Sequence, residues 1–163
     1  MNAKPGDKEL NSQYAKSLRA GGERDPETLA YYFRRAFTRG DTNFEAQFWY
    51  ARYSFERRDA GAREESRQLF QHLREAPMPH EERVRIRDVL RQDEQDTIFT
   101  GAVTKREETY GFVQRDGIAD EIFCHRDNTN EQQWSNLRVG TRVAFKVGFS
   151  FAGIRALELQ VLG

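Results

Sequence analysis

Cysteine and long apolar runs are scarce in this 163-residue chain, and neither sign of charge is in excess. A single cysteine, Cys124, excludes an internal disulfide and is typical of proteins in a reducing compartment. No apolar run approaches the ~18 residues of a membrane span, and the opening text MNAKPGDKEL lacks the apolar core of a secretory signal. The sequence therefore predicts a cytoplasmic protein without membrane association.

The charge balance bears on which ligands are plausible. Lys and Arg together number 26, Asp and Glu also number 26, and residues 98–163 hold eight of each kind. A protein that binds polyanions mainly through phosphate contacts normally carries a basic excess. The missing excess is the strongest observation against a nucleic-acid-binding role.

Hydrophobic periodicity divides the chain into two small parts. It changes near residue 97 from helical spacing to short alternating runs, which favours an α+β protein whose helices and strands form separate domains. The predicted organisation is a flexible lead or short helix over 1–24, a helical domain over 25–91, a charged linker over 92–97 and a β-domain over 98–163.

The amino-terminal part has the pattern of helical hairpins. Asp25 can cap a helix whose first turn accepts Pro26, and the apolar residues from Leu29 to Phe37 follow helical spacing. Three further helices are predicted, over about 44–58, over about 62–76, and around Val84, Val89 and Leu90.

A weak internal repeat accompanies these helices. The text of residues 36–46 partly recurs at 54–66, and Phe33 and Phe70 occupy comparable places on second helices. This part resembles tetratricopeptide-type hairpins, which implies a scaffold for a protein partner. The candidate interaction residues are Trp49, Tyr50 and Tyr53. The alternative is that they belong to the core, as aromatic residues at helical spacing usually do.

From Ile98 the sequence indicates a small barrel. Short alternating apolar runs separated by polar turns predict antiparallel strands, and Asp116-Gly117 predicts a tight turn. Five such strands match an oligonucleotide-binding (OB) type barrel, whose second and third strands commonly form the binding face. The strands are predicted over 98–105, 110–115, 121–125, 142–148 and 156–162.

Alternation along the second and third strands decides which side chains reach solvent. If Val113, Ile122 and Cys124 fill the barrel, four rings lie side by side on its outer surface. These are Tyr110, Phe112, Phe123 and His125. An exposed aromatic patch is costly in water and flat bases offer matching faces, so the predicted ligand is single-stranded RNA or DNA.

Several motifs resemble those of the cold-shock domain. They are Gly101-Ala102-Val103, Tyr110-Gly111-Phe112-Val113, Asp116-Gly117, Ile122-Phe123-Cys124-His125, and the later residues Leu137, Gly140, Val143, Phe145 and Val147. The resemblance covers residues 98–163 and implies that the four rings stack on unpaired bases. Where that family often has further aromatic residues, this chain has Lys105, Arg106 and Arg126, which could pair with phosphates or stack on bases.

No other chemistry is predicted. His72 and His80 lack partners at metal-ligand spacing, and Cys124 and His125 point to opposite faces of a strand, so they cannot form a nucleophile and its base. We expect no metal, cofactor, small-molecule substrate or enzymatic activity. Two hypotheses stay open: an adaptor joining single-stranded nucleic acid to a protein partner, and a protein-interaction module with a degenerate barrel, which could be the carboxy-terminal part of a larger protein.

Overall fold

The computed structural model describes residues 7–92 and 95–163, which divide into two compact units. The helical unit runs to Ile86 and includes Phe151–Gly153, and the barrel unit comprises Arg87–Ser150 and Ile154–Gly163. The predicted fold class, helices followed by an OB-type barrel, is confirmed. Part of the predicted linker, residues 93–94, lies outside the described residues, and the predicted domain limits stay a prediction.

The helical unit contains five described helices. They are α1 Lys8–Ala20, α2 Pro26–Arg34, α3 Phe44–Ser54, α4 Ala60–Leu73 and α5 His80–Arg85. The first four begin after an Asp or Asn whose side chain accepts a backbone N–H bond from the first turn, which satisfies one of the unpaired donors there. Asp25 caps α2 as predicted. Within residues 7–92 and 95–163, no helix combines the length and apolar character needed to cross a bilayer.

Helix α3 forms the centre of the helical unit, because α2 and α4 pack on either side of it. Trp49, Tyr50 and Tyr53 are therefore only 7%, 5% and 6% exposed, and the prediction that they form an interaction surface is wrong. Their polar atoms and faces are used internally: the Arg19 guanidinium lies 3.7 Å from the Trp49 ring centroid, and its Nε donates to the Tyr53 hydroxyl at 2.9 Å. The tetratricopeptide-like character stays a prediction.

The barrel unit is built from strands that follow the predicted pattern closely. Its described strands are β1 Asp88–Val89, β2 Arg91–Gln92, β3 Gln95–Asp96, β4 Phe99–Arg106, β5 Tyr110–Arg115, β6 Glu121–His125, β7 Arg142–Ser150 and β8 Gly153–Val161. Strands β4 to β8 form the closed barrel in the order β7-β4-β5-β6-β8, and β7 also pairs with β8. The β6–β8 pairing is parallel, whereas β4 pairs antiparallel with β5 and β7, and β5 antiparallel with β6.

Alternation places the predicted residues inside the barrel. Val113, Ile122 and Cys124 are 0%, 3% and 1% exposed. A short helix, α6 Glu131–Ser135, buries Trp134, whose indole N–H donates to the Glu108 carbonyl at 3.0 Å. Residue 111, the inward position at the start of β5, has to be a glycine, because a Cβ there would lie 2.4 Å from a backbone oxygen of β4.

The segment before the barrel departs from the prediction. The last predicted helix ends at Arg85, and Val89 lies in β1, opposite Gly148 of β7. The Leu90 N–H continues this pairing by donating to the Val147 carbonyl at 2.8 Å. The edge of β7 offers hydrogen-bond partners that local helical spacing cannot reveal, and they turn the predicted end of the helix into a strand.

Candidate nucleic-acid interface

The β5–β6 hairpin brings the four predicted rings together. Its register sets Tyr110 opposite His125 and Phe112 opposite Phe123. The Phe123 ring lies in the middle of the group, with its centroid 5.9 Å from that of Tyr110, 5.7 Å from that of Phe112 and 6.3 Å from that of His125. Tyr110 and Phe123 are nearly parallel, at 16°, and Phe112 stands edge-on to both. We call this surface the aromatic face.

All four rings of the aromatic face are partly open to solvent, and none is buried. The His125 side chain, for example, is 30% exposed. Its Nδ1 accepts the backbone N–H of Asp127 at 3.1 Å, so Nε2 is the ring atom left to meet a ligand. The rings thus contact one another while each keeps part of its surface open to solvent, and base stacking needs such open aromatic surface.

Comparison with known families agrees with this barrel. Residues 99–162 match the family model described as the 'Cold-shock' DNA-binding domain. This part of the chain is a cold-shock domain. The cold-shock domain is a nucleic-acid-binding fold without catalytic machinery, and helices α1 to α5 lie outside the matched residues. A search of curated proteins found no match to the chain.

The two cations at the end of β4, Lys105 and Arg106, contact different parts of the cold-shock domain. A register shift between Val103 and Lys105 sets Lys105 opposite Phe112, and its exposed ammonium lies 5.5 Å from the Tyr110 ring centroid. Arg106 instead lies over the Trp134 ring at 5.0 Å and donates to the Trp134 carbonyl at 3.2 Å. Lys105 therefore joins the aromatic face, and Arg106 does not.

Arg126 follows the aromatic face directly but is held by a carboxylate. Its Nε donates to Glu131 at 3.1 Å, a second guanidinium nitrogen bonds the other carboxylate oxygen, and these bonds raise the pKa of Arg126. The same contact lowers the pKa of Glu131. A phosphate contact by Arg126 has to compete with this pair, although its side chain is 37% exposed.

Arg155 belongs to the aromatic face and was missed in the sequence. It lies on β8, opposite Phe123 of β6, and its guanidinium carbon is 5.1 Å from the Phe123 ring centroid. Alternation alone indicates that Arg155 points outward, because Ala156 beside it is buried. Its neighbour could not be found locally, since β6 and β8 meet only through barrel closure across about 30 residues of chain.

Other charged side chains of the cold-shock domain neutralise one another. Arg142 pairs with Asp116 through two bonds of 2.6 Å, and Lys146 lies 2.8 Å from Glu158 and 3.3 Å from Asp96. The Arg142 and Thr100 hydrogen bonds hold the pKa of Asp116 well below its usual range. The domain thus presents a neutral barrel with an aromatic face rather than a basic surface.

The structure gives Cys124 no reactive setting. Burial beneath the aromatic face raises the pKa of the Cys124 thiol to about 12, so the thiol stays protonated at neutral pH. Among the described residues, no group of three or more His, Cys, Asp or Glu side chains is arranged to hold a metal ion.

Proposed function

We propose that the cold-shock domain binds single-stranded RNA or DNA by stacking unpaired bases on its aromatic face. The observation that carries the proposal is the continuous set of four partly exposed rings across β5 and β6. Tyr110, Phe112, Phe123 and His125 supply the stacking surfaces. Lys105 supplies a phosphate contact beside Tyr110. Arg126 supplies a second one when the phosphate displaces Glu131 from the Arg126–Glu131 pair.

The expected affinity follows from the number of rings. One base stacked on an aromatic side chain contributes ~1–3 kcal/mol, so three good stacks supply ~3–9 kcal/mol before the cost of ordering the strand. With at most a few phosphate contacts added, the cold-shock domain alone should bind with roughly micromolar or weaker affinity.

Fluorescence anisotropy of the full chain with labelled oligo(dT), oligo(rU) and a duplex of the same length tests this proposal. The single strands should bind and the duplex should not. The double variant Phe112→Ala plus Phe123→Ala removes the centre of the aromatic face and should weaken binding about 30-fold or more, because two lost stacks amount to at least ~2 kcal/mol.

A matched control separates stacking from general loss of aromatic surface. Tyr31 is an aromatic residue of the helical unit that is 51% exposed, and Tyr31→Ala should leave the affinity within about twofold. Near-ultraviolet circular dichroism verifies that each variant is folded. If the wild-type chain shows no binding below about 100 micromolar, the alternative protein-interaction module is favoured.

We also propose that the helical unit binds a protein partner, so that the whole chain is a non-enzymatic cytoplasmic adaptor. A cleft on the helical unit supports a partner site that does not involve the buried aromatic residues of α3. A cleft of about 230 Å³ beside α4 has Phe37 and Leu69 in its lining, with Arg34 and Arg39 around them and Glu65 as its one carboxylate. Apolar walls with two arginines against one carboxylate suit an acidic peptide segment.

Quantitative affinity purification with immobilised chains tests the partner site. Arg39→Glu reverses the charge at the cleft and should lose a protein that the wild type retains. Arg58→Glu makes the same change at an exposed position in the turn before α4 and should retain it. Identical sets of retained proteins for both variants would remove the cleft from the proposal.

A further inference from the structure

The size of the cleft beside α4 limits what can enter it. Its volume is about 230 Å³. Pockets that bind cofactors and other small molecules usually enclose about 300–1,000 Å³, whereas about 150 Å³ is enough for one benzene molecule. The cleft is therefore small for a cofactor, but it has room for one large apolar side chain of a protein partner.

Two elements of the helical unit give the cleft its apolar surfaces. Leu69 of α4 is half-buried, and Phe37, which follows α2, is 5% exposed and packs on the Tyr50 ring at 5.7 Å. The Arg34 guanidinium lies 4.9 Å from the Phe37 ring centroid and donates to the Phe37 carbonyl at 3.2 Å, which fixes it above that ring. An apolar side chain placed between Phe37 and Leu69 would be removed from water on two sides.

The turn between α2 and α3, which carries Arg39, is held in place by hydrogen bonds. The Asp41 carboxylate accepts the backbone N–H of Thr38 at 2.7 Å and that of Asn43 at 3.0 Å. The Asp41 carbonyl accepts the side-chain amide of Gln47 at 3.1 Å. Because this wall of the cleft is already ordered, a ligand that binds there pays little for ordering the backbone.

The charges at the cleft favour an acidic ligand over a basic one. Arg34 and Arg39 stand against one carboxylate, that of Glu65, which already accepts a hydrogen bond from the Tyr50 hydroxyl. Arg39 is exposed at the tip of the turn. A ligand carboxylate beside Arg39 would gain a charge-assisted hydrogen bond, whereas a ligand cation would meet two guanidinium groups.

We propose that the cleft binds a short linear segment in which one leucine- or phenylalanine-sized side chain lies next to an aspartate or glutamate. The apolar side chain enters between Phe37 and Leu69, and the neighbouring carboxylate pairs with Arg39. This inference rests on the proposed partner-binding role of the helical unit, and it specifies the chemistry of the partner. Anchoring by one side chain in a pocket is a common way for a small interface to concentrate its binding energy.

Selection from a displayed library of random dodecapeptides on the immobilised full chain tests the inference. Peptides that place Leu, Ile, Met or Phe within two positions of Asp or Glu should be enriched about fivefold or more over the starting library. The most enriched peptide is then synthesised with a fluorescent label and measured by anisotropy. Replacing its apolar residue by Ala should weaken binding about tenfold.

Variants of the chain separate the apolar contact from the charge contact. Leu69→Ala should weaken the parent peptide about fivefold but leave the Ala-substituted peptide within about twofold, because the two changes remove the same contact. Arg39→Glu should weaken the parent peptide about tenfold and bind a peptide with Lys in place of the acidic residue more tightly than the wild type does. Val84→Ala, at an apolar position of the helical unit that is 51% exposed, and Arg58→Glu are the matched controls.

Each other outcome overturns the inference in a recognisable way. Enriched peptides that are acidic without an apolar anchor, and that lose binding in Arg39→Glu, would leave the cleft as a partner site but remove the anchored side chain. Enriched peptides that bind Leu69→Ala and Arg39→Glu like the wild type would remove the cleft altogether. A selection that enriches no peptide also overturns the inference. The proposed binding of single strands is measured separately with oligonucleotides and survives all three results.

Discussion

The salt dependence of binding can be worked out from the cations that reach the aromatic face. Of the eight Lys and Arg residues after residue 97, Arg142 and Lys146 pair with carboxylates, and Arg106 bonds the Trp134 carbonyl. Lys105 and Arg126 are the two at the aromatic face that we assign to phosphates, and for Arg126 the phosphate has to displace Glu131. Two phosphate contacts on a single strand predict a slope of log affinity against log salt of about −1.4.

The predicted slope gives measurable numbers. Raising monovalent salt from about 50 to about 200 mM should weaken binding of the full chain to oligo(dT) only about sevenfold, against about 300-fold or more for a protein that makes six or more phosphate contacts to a single strand. Lys105→Gln should halve the slope to about −0.7, because its exposed ammonium is the more accessible of the two cations. Fluorescence anisotropy at four salt concentrations measures both values.

Two results would refute this reasoning. A wild-type slope steeper than about −3 would require more phosphate contacts than the aromatic face offers, so the strand would have to follow another surface. An unchanged slope in Lys105→Gln would show that Lys105 contacts no phosphate. Arg85→Gln, which removes an exposed charge from the helical unit, should leave the slope unchanged in either case.

Other predictions concern the frame beneath the aromatic face. Gly111→Ala sets a Cβ 2.4 Å from a β4 carbonyl and should lower the free energy of unfolding by ~1–3 kcal/mol in a thermal melt. Gly61→Ala is the control, because its nearest contact would be 3.4 Å away, and it should not destabilise the fold. Equal effects of the two variants would contradict the packing argument. The pKa of the Cys124 thiol is about 12 in the folded protein and 9.0, its ordinary value, in the unfolded chain. The free energy of unfolding should therefore fall as pH rises above 9.0, by roughly 1.4 kcal/mol at about pH 10. Urea unfolding of Cys124→Ala should not show this fall. The pKa of Asp116 is lowered, so its pair with Arg142 stabilises the fold above about pH 4, and this contribution is lost as pH falls. Arg142→Ala should raise the Asp116 pKa toward 3.8 in a carboxyl NMR titration. An unchanged pKa would contradict the assigned cause.

The aromatic face could be predicted from the sequence because strand alternation is a local rule. Once Val113 and Cys124 are placed inside, Phe112 and Phe123 must point outward. Partners that depend on long-range pairing could not be predicted in this way. Arg155 reaches Phe123 only because β8 runs beside β6, and Arg126 is occupied by Glu131 only because α6 follows the third barrel strand.

In the helical unit, the starts of the helices could be predicted from the sequence, but the burial of their aromatic residues could not. Helix starts were predictable because Asp25 and Pro26 act within one turn. The burial of Trp49 and Tyr53 was not, because it depends on how many neighbours a helix has. A wide apolar arc on a single helix favours a two-sided core but also fits an exposed binding surface, and only the packing of α2 and α4 around α3 decides for the core.

The neutral charge of the cold-shock domain has a consequence for the ligands that it can choose. A base inside a duplex must be unpaired and unstacked before it can lie on a ring, which costs a few kcal/mol for each base. One ring returns only ~1–3 kcal/mol for that base, and a barrel with eight positive and eight negative side chains adds little electrostatic attraction. Opening a duplex is therefore at best neutral in free energy, whereas a strand that is already unpaired gains the full stacking contribution. On this balance we expect the aromatic face to bind bases that some other process has already exposed, and not to melt paired strands by itself.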